Sequence, residues 1–236
     1  MTPGRALIVG TGPGLSSAMA RRLAKAGWTV DLAARNTDKL QGLCAETGAV
    51  AHACDATDPA AVAALFDALD SQAERGGAPT FVLYNASLRA SKAILDLDPA
   101  DVKKAIEISA YGGFLVAQQA AKRMIPAGEG AIFFTGASAS VKGYARSSGF
   151  AMGKFALRGL AQSLARELHP QGIHVGHFVI DGGIAAEHRE GRQNSPDTPD
   201  KWLEPDAIAE TYMAILDQPR SAWTWEVEIR PWVETF

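Results

Sequence analysis

The chain has 236 residues and only two cysteines, Cys44 and Cys54, which form no CxxC pair. Cys44 falls on a helical apolar stripe and Cys54 in a strand, so both read as small core residues. Basic residues are not in excess. Lysine and arginine number 23 against 26 aspartates and glutamates, for a net charge of -3. A nucleic-acid or anionic-membrane partner would call for a basic patch, and neither is expected. No apolar run approaches the ~20 residues of a membrane span. The first residues lead straight into a strand with no secretory apolar region, so a reducing cytoplasm is the expected location. Internal repeats and low-complexity tracts are absent. What remains is length enough to bury a sizeable core as one α/β domain.

That core is written as alternating strands and helices. Apolar strand-like runs occur at Arg5 to Val9, Trp28 to Ala34, Ala49 to Cys54, Thr80 to Tyr84, Ala131 to Thr135, Ile173 to Ile180 and Trp225 to Ile229. Between them lie helical patterns. Leu40, Leu43, Cys44 and Thr47 recur at helical spacing. Asp58-Pro59 and Asp98-Pro99 each combine a capping aspartate with proline at the first helical position. The second of these predicts a long helix to about Ile125. A further long helix is expected to present Ala151, Phe155, Leu160, Leu164 and Leu168 on one face, and Pro205 to Leu216 is the last. Repeated β-α units predict a doubly wound, Rossmann-type parallel sheet of about seven strands with helices on both faces. The whole of 1–236 reads as one dinucleotide-binding domain.

The first unit carries a chemical signal. Arg5-Ala-Leu-Ile-Val-Gly10-Thr-Gly12-Pro-Gly14-Leu15-Ser16 is a strand running through a glycine turn into a helix. Glycines let the chain turn sharply and let its backbone approach a pyrophosphate. The amides at the helix start then face the phosphate. An acidic residue after the second strand would hold a ribose 2′-hydroxyl, but here Ala34 is followed by Arg35. Arginine suits a 2′-phosphate, so NADP(H) is expected over NAD(H). One segment breaks the β-α rhythm. Residues 182–200 are polar, with Arg189, Arg192, Asn194, Pro196 and Pro199, and follow the carboxyl end of a strand, where open α/β sheets bind ligands. A loop this long is expected to be a substrate lid.

Across nearly its whole length the sequence resembles the short-chain dehydrogenase/reductase family. Val9, Gly10, Gly14 and Ser16 fall on that family's TGxxxGxG turn, keeping its first two glycines. Asp55, in Cys54-Asp55-Ala56-Thr57-Asp58, matches the aspartate after strand three and implies an adenine contact. Tyr84-Asn85-Ala86-Ser87 keeps two positions of the NNAG segment after strand four. Gly159 to Val175 is similar to the family's long helix and following strand. The resemblance implies a cofactor set of Gly10, Gly12, Gly14, Leu15, Arg35, Asp55, Asn85, Ala86, Lys154, Gly182 and Ile184.

The family's catalytic signature is Tyr-x-x-x-Lys, and here it reads Phe150-x-x-x-Lys154. Spacing of four puts both on one helix face. The family's lysine holds the nicotinamide ribose and its tyrosine exchanges a proton with the substrate oxygen. Phenylalanine has no proton to give. The family's asparagine falls on Ser109. Its serine falls on Ala137 by gapless counting and on Ser138 with a one-residue gap. Ser138 is preferred, with Ser140 second. The chain resembles an atypical subgroup with an altered glycine motif and phenylalanine for tyrosine. The catalytic candidates are therefore Lys154, Ser138, Ser109 and Phe150.

Other candidates are weaker. Tyr144 precedes the long helix and Tyr111 lies past Ser109 on the other side of its helix; packing or surface roles outweigh catalytic ones for both. His174 and His177 sit at a spacing of three on a strand and face opposite ways, so no metal site is expected. Asp181 replaces the family's proline after strand six and reads equally as a ligand contact or a turn cap. Ser147 and Ser148 have no visible base partner. The tail from Ala222 to Phe236, rich in large rings, is expected to be covered. The family's helices and tails pack between subunits, which implies a homodimer or homotetramer. The leading expectation is hydride transfer between NADP(H) and a small molecule, a carbonyl or a conjugated double bond, by an atypical proton path. The alternative is a catalytically silent NADP-binding sensor or scaffold.

Overall fold

Strand β1 (Arg5–Val9) shows how the sheet is built. Its side chains alternate, so Ala6 and Ile8 enter one apolar core and Leu7 and Val9 the other. The computed structural model describes residues 1–186 and 190–235, and in it this two-sided burial recurs along the central strands. Seven parallel strands stand in the order β3-β2-β1-β4-β5-β6-β7. The others are β2 (Thr29–Ala34), β3 (Val50–Ala53), β4 (Phe81–Tyr84), β5 (Gly130–Thr135), β6 (Ile173–Ile180) and β7 (Glu226–Ile229). Helices α1 (Leu15–Lys25), α2 (Gln41–Thr47) and α7 (Pro205–Leu216) pack together over one face. Over the other lie α3 (Pro59–Asp70), α4 (Pro99–Ile106), α5 (Gly112–Ala127) and α6 (Ser148–Leu168). This is the expected doubly wound Rossmann-type fold. The strand order reverses between β1 and β4, which opens a crevice at their carboxyl ends.

Local chemistry sets the helix starts. Asp58 and Asp98 each cap a helix, accepting from the backbone N–H two residues on at 2.8 Å, with proline at the first position. Two expectations need correction. The helix from Pro99 is not uniform, because residues Glu107–Tyr111 form a π turn between α4 and α5. The Tyr84 hydroxyl, reaching across from β4, donates to the Ile108 carbonyl within this turn at 2.5 Å. The buried face of α6 is also not the expected stripe. It consists of Gly149, Gly153, Lys154, Leu157, Ala161, Ala165 and Leu168, while Phe155 is 45% exposed. Small residues face inward because α4 lies so close that a Cβ on Gly153 would stand 2.9 Å from the Ala105 carbonyl oxygen.

At the other end of the sheet, Arg5 and Asp31 form a fully buried ion pair at 2.6 Å, with His52 on the same carboxylate at 2.7 Å. Burial raises the Asp31 pKa, but the hydrogen bonds from His52 and Arg5 outweigh it and hold the carboxyl below its ordinary value. The network ties β1, β2 and β3 together below the crevice.

Candidate active site

The carboxyl ends of β1, β4, β5 and β6 open into a cleft of about 710 Å³. On the β1 side the glycine turn forms its floor. Gly10 has φ of 82°, and a Cβ there would lie 2.4 Å from the Ala86 amide nitrogen, so β1 and β4 can meet this closely only with glycine. Gly14, with φ of 92°, precedes α1, and nothing stands within 4 Å of where its Cβ would be, nor of that on Gly12. The start of α1 is thus bare backbone facing open space, a shape that fits a pyrophosphate. Asn85 braces the turn: its side chain donates to Ser16 Oγ at 2.6 Å, and Ser16 Oγ donates to the Gly10 carbonyl at 3.3 Å.

Gly14, Leu15, Asn85, Ser138, Phe150, Lys154, Gly182 and Ile184 line the cleft. Gly10 and Ala86 lie in the contact beneath it, and Gly12 turns to open space. Arg35 and Asp55 are exposed at the ends of β2 and β3, and the Arg35 charge is felt at Asp55. Hydrogen bonds from the Thr57 amide and hydroxyl, at 3.0 and 2.7 Å, lower the Asp55 pKa. Ser109 is buried under α6, its Oγ without a partner among the described residues, and does not line the cleft. Of the serine candidates after β5, Ser138 faces the cleft. Ser140 is buried and accepts from the Ala137 amide at 3.1 Å.

Lys154 is the buried cation of the site, 2% exposed. Its Nζ donates to the Thr135 carbonyl at 2.8 Å and stands 6.0 Å from the centre of the Phe150 ring. Burial pushes its pKa down to about 8, so the amine holds a labile proton near neutrality. The guanidinium carbon of Arg89 also lies over this ring, 5.4 Å from the Phe150 centroid. Sequence reasoning missed Arg89, whose only signal was its place soon after the carboxyl end of β4.

Other candidates also find their places. The Asp181 carboxylate is taken by Lys142, at 3.2 Å, and by Arg230. Its amide donates to the Ile229 carbonyl at 2.8 Å, so it clasps the β6 and β7 ends together. Tyr144 lines the cleft and is 46% exposed, whereas Tyr111 stacks on Phe114 at the surface. His174 packs flat on Trp223, and His177 meets Glu226 at 3.0 Å. Burial drives both imidazoles down to about 4. No group of three or more metal-ligating side chains occurs among the described residues. No described helix is long and apolar enough to cross a membrane.

In the polar segment after β6, Ile184 bridges Leu203 in parallel and the Ala186 amide donates to the Arg192 carbonyl at 2.8 Å. Arg192 lies over the Trp202 ring, and Trp202 packs against Gly183. Arg189 lies outside the described residues.

Residues 5–195 match the family model described as short chain dehydrogenase. A 3-oxoacyl-[acyl-carrier-protein] reductase of Mycobacterium tuberculosis is 31% identical over 178 residues, covering 75% of this chain and 68% of that protein. (+)-Borneol dehydrogenase 1 of Salvia officinalis is 35% identical over 138 residues, covering 56% and 52%. The chain thus spans only about half the length of that relative, and 60% of a similar aldehyde dehydrogenase of Euphorbia lathyris. Among solved structures, a short-chain dehydrogenase from Rhodopseudomonas palustris superposes with a TM-score of 0.82 at 33% identity, covering 97% of this chain and 99% of that one. A metagenomic short-chain oxidoreductase in complex with NADP gives 0.80 at 25% identity, covering 97% of each.

Proposed function

The chain belongs to the short-chain dehydrogenase/reductase family, and on that premise we propose that it is an NADP(H)-dependent oxidoreductase acting on a carbonyl or conjugated double bond of a small molecule. The observation that carries this reading is Lys154, a buried and still ionisable amine beside Phe150 in an open cleft. The glycine turn, with bare space before α1, would hold the pyrophosphate. Arg35 would meet a 2′-phosphate, Asp55 the adenine, and Lys154 the nicotinamide ribose. When bound, the dinucleotide would supply or accept the hydride.

Without a phenol at position 150, the substrate oxygen needs another donor. Ser138, facing the cleft, offers a hydroxyl, and Lys154 offers a proton that burial has made labile. Hydrogen-bond donors of this kind stabilise an alkoxide or enolate oxygen. The polar segment at 182–200 would act as the lid. The exposed rings of Tyr111, Phe114 and Phe155 on α5, α6 and the π turn between α4 and α5 suit contact with a second copy. The two unpaired cysteines fit a reducing, cytoplasmic setting.

Phe150 itself favours a second reading, a catalytically silent NADP-binding sensor or scaffold. Following cofactor oxidation across a panel of aldehydes, ketones and enones separates the two. Turnover of any class supports the oxidoreductase. Tight cofactor binding with no turnover across the panel supports the silent protein.

A further inference from the structure

Beside Phe150 the cleft carries a cation that the reaction outlined above does not use. Arg89 lines the cleft and its guanidinium sits over the Phe150 ring. Its position is built by the fold. The Phe150 amide donates to the Ala90 carbonyl at 3.2 Å, and Ala90 is buried so close to Gly149 that a Cβ on that glycine would touch it at 3.0 Å. The backbone next to Arg89 is therefore pinned to the first turn of α6.

Among the described residues Arg89 makes no hydrogen bond or ion pair. Of the other charges lining the cleft, Lys154 donates to Thr135 and Asp181 is held by Lys142 and Arg230; Arg192 lies over the Trp202 ring within the polar segment, and Glu234 reaches the cleft from the exposed tail. A guanidinium attracted to a ring face keeps its edge N–H donors free, and those donors match a carboxylate as a fork. We infer that Arg89, supported on the ring of Phe150, anchors a carboxylate on the substrate. This names the substrate class of the proposed active site and rests on that reading. It also gives the phenylalanine a positive role as the platform for the anchor.

The test compares a matched pair, levulinate and its uncharged amide levulinamide, backed by longer oxo acids with their amides. Binding is measured by calorimetry on the NADP-saturated protein, with thermal melting to check folding. The acid should bind about tenfold more tightly than the amide, the scale of a charge-assisted contact. Arg89→Gln should erase that gap, and Arg89→Lys should keep part of it because charge survives without the fork. Phe150→Leu should narrow it. Equal affinity for acid and amide throughout the series, absence of binding by every acid, or a gap unchanged in folded Arg89→Gln each overturns the anchor. The parent reading is scored separately by turnover. An Arg89-dependent gap with no cofactor oxidation keeps the anchor and removes the oxidoreductase. Equal turnover of acid and amide does the reverse.

Discussion

Replacing Lys154 by methionine removes a buried charge while roughly preserving side-chain volume. In the unfolded chain a lysine titrates near 10.4. In the fold, burial brings it down to about 8. That separation amounts to about 3 kcal/mol against the folded state at neutral pH. The variant also loses the 2.8 Å bond from Nζ to the Thr135 carbonyl, worth about 1–2 kcal/mol once the stranded acceptor is counted. The balance makes Lys154→Met about 1–2 kcal/mol more stable than the wild type at pH 7. The pH dependence gives a sharper signature. With the folded pKa depressed, the unfolded chain keeps the proton between the two values and the folded chain does not. Wild-type stability therefore rises with pH through that window, by about 2 kcal/mol between pH 7 and 9.5 relative to the variant. Cys54, Tyr84 and Tyr212, whose pKa values burial raises, act in the opposite direction and cancel in the difference. Urea unfolding of both proteins at the two pH values measures it. A variant less stable than wild type, by an amount independent of pH, would refute the reasoning. The same substitution should weaken NADPH binding by about 1–3 kcal/mol if the amine holds the ribose, so stability and binding should move in opposite directions.

Arg35→Ala should lower affinity for NADP(H) by about 1–3 kcal/mol and leave NAD(H) nearly unchanged; equal wild-type affinities for the two cofactors by calorimetry rule this out. Phe150→Tyr adds one hydroxyl with Lys154 a turn away to lower its pKa, and should raise carbonyl reduction about a hundredfold. A folded, cofactor-binding tyrosine variant that stays inactive on every carbonyl would show that Phe150 alone is not the block. Asp31→Ala strands the fully buried Arg5 guanidinium and should cost about 3–5 kcal/mol by chemical denaturation; a loss under about 1 kcal/mol would mean the network is dispensable. Because the Asp31 pKa is lowered in the fold, its contribution is complete above the ordinary aspartate range and disappears as pH falls through the depressed value, which an acid titration of stability in wild type against Asp31→Asn resolves.

What the sequence makes legible follows from how local each feature is. Ile173–Ile180 is readable to the residue, because the apolar residues of a strand buried on both faces, here interrupted only by His174, Gly176 and His177, are bounded by glycine on one side and by aspartate and glycine on the other. The Asp-Pro starts of α3 and α4 are equally plain, since cap and proline act within a few residues. The π turn is not, because the hydroxyl that meets its carbonyl comes from Tyr84, far away in the chain. The inward face of α6 differs from its apolar stripe for a related reason. Hydrophobic size is a guide to burial only where space is free, and the close approach of α4 selects glycine and alanine instead. In the site, Phe150 and Lys154 announce themselves by their spacing. Arg89 does not, for it is carried to the ring by one backbone hydrogen bond between a loop and a helix start. Read as sequence alone, Phe150 is a missing proton donor. In the fold its ring has two cations near it, Lys154 at 6.0 Å and Arg89 at 5.4 Å. A tyrosine there would keep the aromatic face and add an acid, so what the position distinguishes is proton supply from cation support, and only the first is lost with the hydroxyl.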